Sequence, residues 1–477
     1  MSTVALGKGE DFVAKVPLLI VGAGAAGLCA ALAAKEAGTD VVVVERDARP
    51  AGSTALSAGL IPAAGTKFQR VKGISDNPQT FAVDIARKAR GEADPALVNA
   101  VAVGAAPLVE WLAERHGLPF EVVDNFNYPG HSAMRMHGLP SRTAMRMHGL
   151  PSRTGRELID RLRNAAEQND IVILTHSAVD RLSVDRDGRI FGIEIGRPDG
   201  TRERIGCDAL ILACSGFGGN PDLVRRYIPE MGSALYFGHP GNCGHAVIWG
   251  SALGAQLVHL GAYQGHGSVA TPHNILITWA VIMEGGIQVN RDGRRFGDET
   301  RGYSEQAAEV LRQPGGFVWD IFDARIARVA RQFEDFRDAE RAGAVQGFDT
   351  IQDIAQSIGV PAANIVDEWN EVQKLKSIDG RDRYGRIFRA GHSCRPPYYA
   401  VKVTGALFHT QGGLAVDASG RVKREDGAAF PNLFAAGGAA AGVSGSIAAG
   451  YLSGNGRLTA TVLANLAGRA AAEQLLG

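Results

Sequence analysis

The stretch from Leu18 to Glu45, LLIVGAGAAGLCAALAAKEAGTDVVVVE, restricts what this chain can fold into more than any other. An apolar run, Pro17 to Val21, opens into Gly22-Ala23-Gly24-Ala25-Ala26-Gly27. An alanine-rich helical pattern follows, and a second apolar run, Val41 to Val44, ends on Glu45. That order is strand, glycine turn, helix, strand and acid, the start of a βαβ unit. The first glycine allows a tight turn, the second lets the backbone approach a pyrophosphate, and the third lets the helix lie close on the sheet. The helix N-terminus then meets phosphate charge, and Glu45 is placed to accept hydrogen bonds from a ribose diol. A dinucleotide site on a Rossmann-like α/β domain is expected, with Gly22, Gly24, Ala25, Ala26, Gly27 and Glu45 as contacts.

With 477 residues the chain has room for two domains and a large core. Its formal net charge is zero and no basic block stands out, which argues against nucleic acid or an anionic membrane surface as partner. The 61 glycines fall in no low-complexity tract, so they mark turns and close backbone approaches to a ligand. Five scattered cysteines without a CxxC pair suggest no disulfide framework and no iron–sulfur or zinc site. The first residues lack the apolar core of a signal peptide, and no run reads as long enough to span a bilayer. A cytoplasmic protein is expected.

Past Glu45 the loop RDARPAGSTALSAGLIPAAG is small and polar, suited to wrapping a cofactor with amides and hydroxyls from Arg46, Gly52, Ser53, Thr54, Ser57 and Gly59. Residues 79–117 are helical in pattern. Then AMRMHGLPSRT, residues 133–143, recurs unchanged as 144–154. Gly-Leu-Pro in each copy opposes a continuous helix, and two units are too few for a solenoid. One copy should fill the ordinary position and the other lengthen a surface loop. Arg135 with His137, or Arg146 with His148, are candidates to reach a substrate; identical copies leave the choice open. A strand from Asp208 runs into a second glycine junction, CSGFGGN, and Ala178, Ala213, Gly216 and Asn220 join the expected cofactor contacts. A third junction, Leu433 to Gly438, precedes an alanine-rich helix at 458–476 and adds Gly437 and Gly438. Residues 232–390, mixed and richer in aromatic and charged residues, read as an α+β capping domain inserted between cofactor-domain segments 1–231 and 391–477.

Taken together the junctions resemble the FAD-dependent fumarate reductase/succinate dehydrogenase flavoprotein family, including its 3-ketosteroid dehydrogenase branch. The matching pieces, in order, are GAGAAG with Glu45, GSTALSAG, ALILACSGFGGN, VNRDGRRFGDE, FHTQGGLAVDASGRV and NLFAAGGAAAGVSG. The resemblance implies a glutathione-reductase-type FAD domain with an inserted cap and one FAD. Loop 46–65 contains no histidine, so the flavin is expected to be held non-covalently. Two departures stand out: Ala51-Gly52 replaces a doubled glycine, and Gly438 replaces an acid that contacts the ribityl chain. The final helix follows Ser453-Gly454-Asn455-Gly456, whose amides would favour negative charge at the flavin edge.

Two positions bear on the chemistry. Family reductases hold a dicarboxylate with arginines, whose planar forks match carboxylates. Counting three residues past Asp298-Glu299 lands on Tyr303, and the late Arg-Leu-Gly-Gly-Asn motif reads Tyr451-Leu452-Ser453-Gly454-Asn455. Both arginines are thus tyrosines, with Arg301 two residues from one place. This pattern resembles the 3-ketosteroid Δ4-dehydrogenase type and implies α,β-desaturation of a ketone, with β-hydride to the flavin. Tyr451 is the expected ketone donor and Tyr303 with Ser453 the proton-accepting pair. His409, Thr410 and His266 match substrate-side positions and point to a second polar group such as a carboxylate. The alternatives are reduction of an activated alkene and an electron-relaying flavoprotein subunit. Substrate regiochemistry, electron acceptor and oligomeric state stay open.

Overall fold

A computed structural model describes residues 4–6, 12–124, 127–139, 155–389 and 394–477; Arg146 and His148 lie outside these. The chain forms two compact units. The first comprises Met1–Ile228, Gly238–Tyr263 and His409–Gly477, and the second Pro229–Phe237 with Gln264–Phe408. Residues 238–263, expected in the cap, therefore belong to the first unit, and 394–408 fall in the second.

In the first unit, β1 (Ala14–Val21) leads through α1 (Ala25–Glu36) to β2 (Val41–Val44). Leu18, Leu19 and Ile20 are fully buried, as a strand covered on both faces requires. β1 runs parallel to β2 on one side and to β3 (Arg202–Leu212) on the other, and β3 runs parallel to β4 (Ala429–Ala435). The register pairs Leu212 with both Val21 and Ala435. Three neighbouring parallel strands thus end at one edge, and each passes there into a glycine junction. The chain leaves β1 toward β2 on one side and returns as β3 on the other, so this edge is a topological switch point, where α/β sheets bind ligands. Behind it, α1 packs on α2 (Ala464–Leu476). The approach is close enough that a Cβ on Gly468 would lie 2.2 Å from Ala30 O.

The helix Pro95–His116 corrects one expectation, for it is long and apolar enough to cross a membrane by length and composition. Leu97, Val101, Ala105, Val109 and Leu112 are instead buried in the unit's core, and Pro107 sits within it. The first copy of the duplicated segment forms a strand, Met136–Gly138, antiparallel to Ile61–Pro62 and to Glu121–Val122. Arg135 is fully buried, donating from Nη1 to Asp84 at 2.7 Å and from Nε to Asp76 at 2.9 Å. His137 bridges Thr66 Oγ1, at 2.8 Å, and Arg135 O, at 2.9 Å. Both side chains are held in packing, so neither is available to a substrate.

The second unit is built on a seven-stranded sheet. Phe317–Asp323 is a strand antiparallel to the long strand Tyr398–Thr410 and to Ile287–Val289. Side chains alternate across it. Val318 and Phe322 enter one core with Phe336 and Val403, while Trp319 and Ile321 enter another with Ile354 and Trp369.

Candidate active site

The glycine fingerprint has the geometry its residues demand. Gly22 adopts φ +102°, and a Cβ there would meet Ala213 O at 2.6 Å. A Cβ on Gly27 would lie 1.8 Å from Gly22 O, so only glycine lets α1 start this close to the turn. Above Gly24 there is room, the nearest atom being Thr54 Oγ1 at 3.8 Å. Helix α1 begins with no side-chain cap, and Ala25 N–H donates to Thr54 Oγ1 at 3.1 Å. Glu45 takes the Ala23 amide on Oε2 at 2.8 Å and the Asp47 amide on Oε1 at 3.0 Å, which fixes the carboxylate at the tip of β2.

Around this seat the loop 46–59 folds back. Gly52 and Gly59 have positive φ, and Ser53 Oγ accepts from His239 N–H at 3.2 Å and Asn242 Nδ2 at 2.8 Å. Arg46 Nη1 donates to Gly241 O at 3.1 Å. These contacts explain why 238–263 belongs with the cofactor segments. Ala178 follows Ser177, whose N–H donates to Glu45 O at 2.8 Å. Asn220 caps the helix Pro221–Tyr227 and binds Cys243 O at 3.1 Å.

The second and third junctions meet through two residues expected to face substrate. Thr410 Oγ1 accepts the Phe217 amide at 3.2 Å, and a Cβ on Gly216 would collide with that oxygen at 1.9 Å. Gln411 Nε2 donates to His409 Nδ1 at 2.9 Å, which leaves the ring's proton on Nε2. Gln411 is itself oriented by Ser444, at 3.1 Å, and Ser444 accepts from Asn455 Nδ2 at 3.2 Å. A Cβ on Gly438 would lie 3.0 Å from His409 Nε2 and 2.8 Å from Gly216 N. No acidic side chain fits at 438 while His409 stands there, which gives the departure from the family pattern a steric cause.

Tyr451 and Ser453 are buried in the segment between the turn Ala448–Gly450 and the helix starting at Asn455. His131 Nε2 donates to Ser453 O at 2.8 Å and so sets the height of that segment; sequence gave no sign of it. Gly454 has φ +89°, and a Cβ there would press on Pro62 at 2.9 Å. Asn455 Oδ1 is buried with no hydrogen-bond partner among the described residues, a ready acceptor for a ligand N–H. The open seat over Gly24, the uncapped α1 and this orphaned acceptor are features that would suit a flavin dinucleotide.

In the second unit His266 is the centre of an aromatic cluster. Tyr303 stacks on it at 5.1 Å and Phe408 at 5.5 Å, while Trp279 meets it edge-on at 5.4 Å. Ser268 N–H donates to His266 Nδ1 at 3.2 Å, which again leaves the ring's proton on Nε2. Tyr303 opens the helix Tyr303–Leu311 after Gly302, whose φ of +155° lies at the edge of the glycine region. The turn before it is anchored by a buried network. Arg295 bridges Glu299, at 2.8 Å, and Asp382, at 2.6 Å, and Arg386 adds a bond to Glu299 at 2.7 Å. These charges hold Glu299 ionised, its pKa drawn down to about 2 against the opposing effect of burial. Arg301 is exposed on the outside of that turn.

Burial also holds the histidines neutral: it depresses His131, His137 and His409 to about 4 and His266 to about 3. A depressed pKa means the unfolded chain binds the proton more readily than the fold. The stability they contribute is therefore complete above the ordinary value, near 6.5, and is lost as pH falls toward 4. Each contributes a slope of about 1.4 kcal/mol per pH unit within that window. Melting temperature should fall between pH 6.5 and 4.5, and His137→Gln should flatten the fall by one proton's worth. An unchanged slope in that variant would contradict the assignment.

Fold and cradle define an FAD-dependent oxidoreductase. The FAD binding domain family matches residues 18–455. A probable fumarate reductase of Shewanella frigidimarina is 30% identical over 459 residues, covering 96% of this chain and 75% of its own. A 4-oxocyclohexanecarboxylate 2-dehydrogenase of Sinomonas cyclohexanicum is 25% identical, with 96% and 93% covered. The solved 3-ketosteroid-Δ4-(5α)-dehydrogenase of Rhodococcus jostii shares the fold at a TM-score of 0.76 and 23% identity, with 97% and 98% covered. The chain belongs to the fumarate reductase/succinate dehydrogenase flavoprotein family, whose members act on carbon–carbon single and double bonds.

Proposed function

We propose that this flavoprotein is a ketone dehydrogenase that introduces a double bond α,β to the carbonyl of a cyclic 3-oxo compound. The carrying observation is the pair of tyrosines, 303 and 451, where the family's reductases are expected to place substrate arginines. Neither a phenol nor a neutral histidine presents a planar fork to a carboxylate, whereas each carries a donor suited to a carbonyl oxygen. The match to an oxo-cyclohexanecarboxylate dehydrogenase along nearly the whole of both chains supports a ring substrate carrying a ketone and an acid.

In this reading Tyr451 O–H donates to the ketone oxygen, which acidifies the α-carbon and stabilises the developing enolate. Tyr303 and Ser453 accept the α-proton. A free phenol with pKa about 10 is a weak base at neutral pH, so the hydroxyls act as a relay, releasing a proton to solvent as the α-proton is taken up. His266 and His409 present Nε2–H donors to the second polar group. Bound FAD, held without a covalent link, supplies the two-electron acceptor. The relationship to a probable fumarate reductase favours a second reading, reduction of an activated alkene.

Anaerobic titration of the yellow protein decides between them. Cyclic ketones, 3-oxosteroids and a 4-oxocyclohexanecarboxylate among them, should bleach the flavin absorbance stoichiometrically. Reoxidation of photoreduced protein by fumarate, with no bleaching by any ketone, would overturn the dehydrogenase reading.

A further inference from the structure

Arg457 has no counterpart in the expected site, yet it is the most unusual charge in the first unit. It lies deep, and burial pulls its pKa down to about 10 from the ordinary arginine range. It nevertheless keeps part of its surface open, as a side chain lining a cleft does. No carboxylate pairs with it among the described residues; the titratable neighbours that favour its charge are the Tyr451 phenol and the Cys29 thiol. A buried cation without an anion is a costly arrangement, and a bound anion would offset that cost.

Its hydrogen bonds say which ligand. Nη1 donates to Thr54 Oγ1 at 2.9 Å, and Nη2 donates to Ser57 Oγ. Thr54 Oγ1 also receives the Ala25 amide at the start of α1, so the guanidinium stands one hydroxyl away from the uncapped helix end. Ser57 uses its own proton on Thr54 O at 2.8 Å, whereas the Thr54 hydroxyl proton has no acceptor among the described residues. Three kinds of donor therefore converge beside Gly24: the guanidinium, the Thr54 O–H and the first amides of α1. A helix end offers about half a positive charge, and the two phosphates of a dinucleotide carry two negative ones.

We infer that Arg457 is the counter-ion of the FAD pyrophosphate, bridging the loop 52–57 and α1 when the cofactor is bound. The inference rests on the FAD assignment and not on the ketone reading, so each can fail without the other.

The test uses full-length protein and three readouts: FAD dissociation at two salt concentrations, the flavin reduction potential, and thermal protection of flavin-stripped protein by ADP, which carries the pyrophosphate without the flavin ring. Arg457→Gln should weaken FAD binding about 10- to 100-fold, flatten its salt dependence and abolish protection by ADP, with the potential unchanged. Arg457→Lys should recover part of the affinity, since it restores the charge without the fork. Full ADP protection with a lowered potential would place Arg457 on the flavin ring and overturn the inference. Unchanged FAD and ADP binding with a raised KM for an acidic substrate would overturn it in favour of a substrate carboxylate.

Discussion

Gly27→Ala should yield a protein that holds almost no flavin and melts well below the parent, although it adds a single methyl group. The added Cβ would lie 1.8 Å from Gly22 O and 3.0 Å from Gly22 C, both backbone atoms of the turn that ends β1. A flexible neighbour could swing aside, but this one cannot. To relieve the contact α1 must lift off the sheet, and α1 is also packed closely on α2 through Ala30 and Gly468. Overpacking of this kind destabilises by roughly 1–3 kcal/mol or more, and the displaced helix end no longer points its amides at the phosphates. Gly24→Ala is the informative contrast. Its Cβ meets nothing nearer than 3.8 Å in the protein, so flavin-stripped Gly24→Ala should melt like the parent while binding FAD at least as poorly, because the methyl occupies ligand space. The measurements are flavin content after purification and melting temperature with and without FAD. Parental values for Gly27→Ala would show that α1 can move freely, against the packing described.

What sequence made legible was local, and what it missed was joined across distance. The fingerprint 18–45 could be read because a turn, a helix start and an acid are set by residues within one short βαβ unit. Edge placement of three glycine junctions follows from parallel register, which apolar runs announce but do not align. Arg457 is not legible in the sequence because its meaning depends on Thr54 and Ser57, some 400 positions earlier, and on the lack of a paired acid among the described residues. His131 is similar: its bond to Ser453 O spans 322 positions. Composition changes at about 232 and so points residues 238–263 to the cap, whereas their place follows from His239 and Asn242 gripping Ser53. Gly438 looked like a lost ligand in sequence and proves to be the space that His409 fills.

The tyrosine substitutions should have the largest effect on turnover. Tyr451→Phe removes one hydroxyl from a buried side chain with 6% exposure, so the fold and the flavin spectrum should be retained. If Tyr451 stabilises the enolate, losing one such donor should slow ketone-driven flavin bleaching about 10²- to 10³-fold. The loss should appear in kcat rather than KM, since the charge it meets exists only in the transition state. Tyr303→Phe keeps the ring that stacks on His266 at 5.1 Å, so the aromatic cluster should survive while proton acceptance fails. A loss of about 10²- to 10⁴-fold is the expected range for a removed acid–base group. The two roles separate by isotope. With substrate deuterated at the α-carbon, Tyr303→Phe should show a larger isotope effect than the parent because proton abstraction becomes slower, whereas β-deuteration should matter less. If the phenols act on one substrate in one step, the double variant should be little worse than the slower single one, as groups that act as a unit are non-additive. Single variants that both turn over at the parental rate would remove the tyrosines from the chemistry and, with them, the case for a ketone over a dicarboxylate.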